Sequence, residues 1–299
     1  MRKDKFVYLV EQLPQEKDNE HTVSILDEVP KDEVDDLYTA QRFSAIYHKI
    51  AQVKNIVVEN GKDFQDFMQP SNIARLRQNK MKPDMLIQNA NKLVFNYAMS
   101  LKTYVDIHER LLKQHGKTER YNEYKDLCSS FYDNDMEYRF WMNLRNCIAH
   151  CELPYNGFVE SDIKGYKVIC TKRNLLQFDS WKHSKKDILL MDDEIDLPSM
   201  VIEMSSMIMA LYFHFIMSFG EDIINTISTF QRFCNKHQVT RPGFFVTDEK
   251  ITRENFERVL YSSKLEPFPM DNIFEAFEEL KRNPQVTITY NNSDRDKSI

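Results

Sequence analysis

Beyond residue 31 the chain reads as a series of helices. Leu37, Phe43, Ile46, Ile50, Val53 and Val57 recur largely at threes and fours, which predicts one amphipathic helix ending near residue 68. Acidic Asp32, Glu33, Asp35 and Asp36 stand at its amino end, where the helix dipole favours them. Pro70-Ser71 interrupts the pattern and a basic connector follows. Pro83 then opens a second long helix through Leu86, Ala90, Leu93, Tyr97, Leu101, Val105 and Leu112 to Gly116. A shorter helix is predicted over 119–131 and another over 135–151, stopped by Pro154 and Gly157.

The periodicity then changes. Residues 163–171, 175–178 and 188–191 read as short strands separated by polar turns, a small sheet or hairpin. Pro198 starts a helix expected to run unbroken to His237. Residues 1–30 open with the apolar run Phe6 to Val10 and continue as a polar stretch, an arm with one strand and a loop. At the other end, Phe244-Phe245-Val246, helices over 252–260 and 270–281 and a strand over 286–290 predict a small α/β appendage with a polar tail. The expected architecture is mainly α: an arm at 1–30, a helical domain at 31–237 with a β insertion at about 160–192, and an appendage at 238–299.

Composition narrows the chemistry. Only 6 of the 299 residues are glycine, and neither GxGxxG nor GxxxxGK[ST] occurs, so no glycine-built phosphate cradle is expected. A net charge of -6 argues against nonspecific coating of nucleic acid, though not against local basic patches. The five cysteines, Cys128, Cys147, Cys151, Cys170 and Cys234, are an odd number with no signal peptide ahead of them, which predicts free thiols and a cytoplasmic location. Residues 200–220 are apolar enough to suggest a membrane span, but Glu203, Ser205, Ser206 and His214 favour a buried core helix.

The informative segment is 138–154, YRFWMNLRNCIAHCELP. Arg145 and His150 are spaced Arg-x4-His, and Asn146 follows the arginine directly. The bare spacing arises about once by chance in a chain of this size, and Arg42 with His48, Arg110 with His115 and Arg232 with His237 also satisfy its looser Arg-x4-6-His form. Context singles out Arg145: an aromatic helix leads into it, Asn146 follows it, and Leu153-Pro154 ends the helix after His150. This segment resembles the Arg-x4-6-His motif of the HEPN family. The run Asn91 to Leu112 is similar to the long helix that family members pack against the motif helix, so the resemblance covers about 35–235. It implies a HEPN-like helical bundle, a metal-independent ribonuclease of toxin–antitoxin or antiviral defence systems, and the catalytic residues Arg145, Asn146 and His150.

On a helix Asn146 and His150 share a face, while Arg145 lies about 140° from His150. The resemblance implies a homodimer through the motif helix that pools two arginines and two histidines. The apolar stripe Trp141, Leu144 and Ile148 is expected at that interface. RNA would supply its 2′-hydroxyl as nucleophile, histidine would move the proton, and Arg145 would stabilise the developing charge, leaving a 2′,3′-cyclic phosphate. No cofactor and no metal are expected. Two readings of metal ligation, a zinc site from Cys147, His150 and Cys151 and a divalent-ion site at Asp192-Asp193-Glu194, are outweighed by buried thiols and a solvated acidic turn.

Two basic patches would bring RNA to the site. One holds Arg75, Arg77, Lys80 and Lys82 with no acid between them; the other, over 164–187, holds Lys164, Lys167, Lys172, Arg173, Lys182, Lys185 and Lys186 with Tyr166, Phe178 and Trp181 as stacking surfaces. The expected partners are therefore an RNA substrate, a second copy of the chain, and an antitoxin or other defence component, with no membrane. The alternative is a non-catalytic HEPN-like adaptor that uses the same helix to hold a partner protein.

Overall fold

The computed structural model describes residues 6–12, 23–161, 165–240, 242–262, 264–267, 271–283 and 286–287. It is mainly helical, with two small sheets. Two compact units divide the chain, one of residues 1–48 and 219–299, the other of residues 49–218.

The first unit is built on a four-stranded antiparallel sheet of β1 (Phe6–Gln12), β2 (Val23–Glu28), β5 (Pro242–Thr247) and β6 (Lys264–Pro267), ordered β2-β1-β5-β6. The expected arm is thus an interior strand: Tyr8 lies opposite Phe245 and Leu9 opposite Phe244. Alternation decides which side chains meet. Val7, Leu9 and Phe244 face Val29, Leu37, Phe233 and Val239, whereas Tyr8, Val10 and Phe245 pack on the opposite side with Phe6 and Ile251. Of these, Leu37 comes from α1 (Lys31–Met68), whose first half belongs here, and Phe233 from α9 (Gly220–His237). α10 (Phe256–Ser262) and α11 (Asp271–Arg282) complete the unit, with Phe274 edge-on to Phe230 of α9 at 5.9 Å. Strand β6 was not expected; Val286 and Thr287 are not in a strand, and 288–290 lie outside the described residues.

The second unit holds the remainder of α1, then α2 (Pro70–Gln78), α3 (Pro83–His115), α4 (Thr118–Asn134), α5 (Met136–His150), the hairpin β3 (Tyr155–Ser161) and β4 (Gly165–Cys170), the short α6 (Lys172–Leu175) and α7 (Ser184–Leu190), and α8 (Leu197–Ser218). Helix α3 is the central member, burying Leu86, Ala90, Val94, Tyr97, Leu101, Tyr104 and Leu112 along one stripe. Its Asn91 donates to the Tyr155 carbonyl at 2.8 Å and accepts from the Tyr155 amide at 2.9 Å, closing both backbone bonds at the start of β3.

Several elements differ from expectation. The connector after Pro70 is helix α2 rather than a loop. Residues 175–178 and 188–191 are helical or turn, because their apolar residues supply isolated anchors, Leu175, Phe178 and Ile188, rather than a buried alternating face. Gly157, expected only to end the preceding helix, lies within strand β3, where a Cβ would approach Ile169 Cγ1 to 2.7 Å. The long final helix is two helices, separated at Phe219, with Glu221 and Asp222 in the first turn of α9. Among the described residues α8 is long and apolar enough to cross a membrane, and half of its apolar window is buried within the fold.

Candidate active site

Helix α5 has two faces. Tyr138, Trp141, Leu144 and Cys147 point into the unit, with Phe140 and Asn143 beside them. Trp141 meets Tyr97 edge-on at 4.7 Å, and Phe140 stacks on Trp181 at 5.5 Å. Trp141 and Leu144 have no exposed surface at all. The apolar stripe expected at a subunit interface is therefore spent inside the protomer, apart from half-buried Ile148. The opposite face carries Met142, Arg145, Asn146, Ala149 and His150, spaced at threes and fours and half-buried or exposed.

Polar contacts hold this helix in place. Arg139 forms a two-pronged pair with Asp187 of α7, Nε to Oδ2 at 2.9 Å and Nη2 to Oδ1 at 3.1 Å, while its Nη1 donates to the Tyr132 carbonyl at 2.6 Å. Buried Asn143 donates to Ser184 Oγ at 2.9 Å, and that hydroxyl donates to the Arg139 carbonyl at 3.1 Å. Neither Arg139 nor Asn143 stood out in the sequence, since their role depends on a partner helix more than forty residues away.

Arg145 Nη1 donates to Asn146 Oδ1 at 3.1 Å, and its Nε is buried with no hydrogen-bond partner. Among the described residues no carboxylate pairs with Arg145, and exposed His150 makes no hydrogen bond or ion pair. His150 stands in the last turn of α5, beside the C-cap Cys151. The competing arginine–histidine pairs are placed differently. His237 Nε2 lies 2.8 Å from Glu33 Oε2, within hydrogen-bond distance, whereas His48 and His115 are exposed on α1 and at the end of α3.

Cys147 is buried, and desolvation pushes its thiol up to about 11, so it is held as a neutral group rather than a thiolate ligand. Among the described residues no three His, Cys, Asp or Glu side chains are grouped as metal ligands are.

The basic patches divide into free and committed cations. Arg77 lies over Phe158 and Tyr166 at 5.7 and 5.9 Å and bonds Glu160 at 3.0 Å and the Met81 carbonyl at 2.8 Å, so it pins α2 to the hairpin. Lys172 donates to the Met191 carbonyl at 2.5 Å and closes the turn after α7. Trp181 and Phe178 are buried, and Trp181 Nε1 donates to the Leu175 carbonyl at 2.6 Å; neither ring is a stacking surface for a base. Arg75, Lys80, Lys82, Arg173, Lys185 and Lys186 are exposed, with Arg75 donating to Asn72 Oδ1 at 2.8 Å; Lys164 lies outside the described residues.

Comparison with protein-family models, curated proteins and solved structures finds no match.

Proposed function

We propose that this protein is a metal-independent endoribonuclease of HEPN type, a toxin or antiviral defence effector in which two copies of α5 assemble one active site. The observation that carries the reading is the placement of Arg145 and His150 on the outer face of α5, with no carboxylate partner among the described residues and with Asn146 steering the guanidinium. One protomer offers one imidazole there, and cleavage needs a proton removed from the 2′-hydroxyl and a proton given to the 5′-oxygen. A second copy related by a two-fold axis supplies the other imidazole. His150 of one protomer takes the 2′-hydroxyl proton, the oxygen attacks phosphorus, and the 5′-oxygen leaves with a proton from the second imidazole. Arg145 holds the non-bridging oxygens as their charge grows. The products are a 2′,3′-cyclic phosphate and a 5′-hydroxyl, and DNA does not react. Exposed Lys185 and Lys186 are available to hold the RNA backbone.

A second reading, an adaptor that binds a protein partner, draws on half-buried Met142 and on Leu153, which is 46% exposed just beyond the motif helix. The test is incubation of the purified chain with a mixed-sequence RNA in EDTA. The nuclease reading expects cleavage and cyclic phosphate ends; intact RNA, with the chain bound instead to a protein partner through α5, supports the adaptor.

A further inference from the structure

A cavity of about 390 Å³ opens in the unit formed by residues 49–218, and no residue of α5 lines it. Its size falls within the range of small-molecule sites. Ile73, Val168, Ile195 and Ile202 give it apolar walls drawn from α2, β4, the segment before α8 and α8 itself. The charged groups that interrupt those walls are two carboxylates and one ammonium. Glu194 and Asp196 both line the cavity, against one ammonium, Lys167, which is already paired with Glu194 at 2.5 Å. Asp196 accepts from the Ser199 hydroxyl at 2.5 Å at the start of α8, and among the described residues no basic side chain pairs with it.

Tyr155 makes the strongest case that something belongs there. It lines the cavity at 3% exposure, and its hydroxyl is buried without a hydrogen-bond partner. Asn91 holds its backbone at both ends, so the side chain cannot leave to find one. A buried hydroxyl left unmatched is costly, and a ligand that pairs with it recovers that cost.

We infer that this cavity is a binding site for an amphiphilic cation with a planar guanidinium or amidinium head, seated against Asp196 and Tyr155 with its apolar stem along Ile73, Val168 and Ile202. The planar head is favoured over an ammonium for two reasons: its fork of N–H donors matches a carboxylate in two-pronged fashion, and it is the less strongly hydrated cation, which suits apolar walls. The inference is independent of the ribonuclease reading.

Isothermal titration calorimetry of the full chain tests it with agmatine, N-acetyl-arginine amide and, as the neutral isostere, N-acetyl-citrulline amide. Binding of either cation without the citrulline compound supports the site; agmatine alone points to a free small molecule, the arginine amide alone to an arginine side chain of a partner. Asp196→Asn keeps an acceptor to cap α8 but removes the charge, so binding should fall about ten- to hundredfold with the melting temperature little changed. Tyr155→Phe, which removes a hydroxyl that bonds nothing, should weaken binding about tenfold without loss of folding. Equal binding of the citrulline compound, cation affinity unchanged in Asp196→Asn, or no binding of either cation at millimolar concentration would overturn the proposal.

Discussion

Arg145 and Asn146 are neighbours in sequence whose side chains are joined, Nη1 to Oδ1 at 3.1 Å, on the outer face of α5. Successive residues on a helix point about 100° apart, so a bond between them pulls the guanidinium towards the side occupied by His150. The amide thus offsets part of the angle that separates Arg145 from His150.

If that steering matters, Asn146→Ala should leave the fold intact and lower kcat/KM for RNA cleavage by about tenfold, as expected for loss of one hydrogen bond to a charged group. Asn146→Asp should do no better, because a carboxylate beside Arg145 competes with phosphate. Cleavage kinetics and a melting curve on both variants check this.

Trp181 tests which aromatics serve the fold. Its ring is buried in the core, stacked on Phe140 and edge-on to Phe178. Trp181→Ala should cost about 3–5 kcal/mol by cavity formation, seen in chemical denaturation. Lys185→Ala with Lys186→Ala should cost little stability and should lower RNA affinity, with a shallower dependence on salt.

Acid should weaken the unit formed by residues 49–218. His108 of α3 is fully buried, stacked on Tyr124 at 4.3 Å and edge-on to Phe215 at 4.8 Å, and neither ring nitrogen has a hydrogen-bond partner. Burial first, then the nearby His214 charge, hold its pKa well below the ordinary 6.5. Tyr104 on α3, Tyr124 and Cys128 on α4 and His214 on α8 are the titratable groups around it, with Glu123 3.7 Å from His214. The folded state excludes a proton that the unfolded chain accepts, so stability is full above pH 6.5 and falls as pH drops below it, by about 1.4 kcal/mol per pH unit for one histidine. Urea midpoints between pH 7 and 5 should show this slope, and His108→Phe should flatten it.

The long helices were legible because proline starts, acidic first turns and three-to-four spacing agree with one another over thirty residues; α1 and α3 begin and end within a residue or two of expectation. Short apolar runs carry no such redundancy, and Leu175 to Phe178 and Ile188 to Met191 look like strands in sequence although their burial is single-sided anchoring. The pairing of β1 with β5 joins residues more than two hundred positions apart, which no local pattern encodes. At the candidate site the helix itself was legible, but its orientation was not. Trp141, Leu144 and Ile148 share an apolar stripe whether they meet another protomer or their own core, and Tyr97 decides the matter for Trp141. Arg77 and Trp181 show the same limit, since a basic or aromatic residue does not announce the Glu160 or Phe140 waiting for it.

The most direct measurement is RNA cleavage in EDTA by the wild-type chain and by His150→Ala, with His115→Ala and His237→Ala as controls and each variant's folding and oligomeric state recorded. His150→Ala should lose about a hundredfold to ten-thousandfold in rate while remaining folded and assembled, and both control variants should cleave near the wild-type rate. Full cleavage by folded His150→Ala would contradict the account, leaving the outer face of α5 a binding surface whose arginine and histidine do no chemistry.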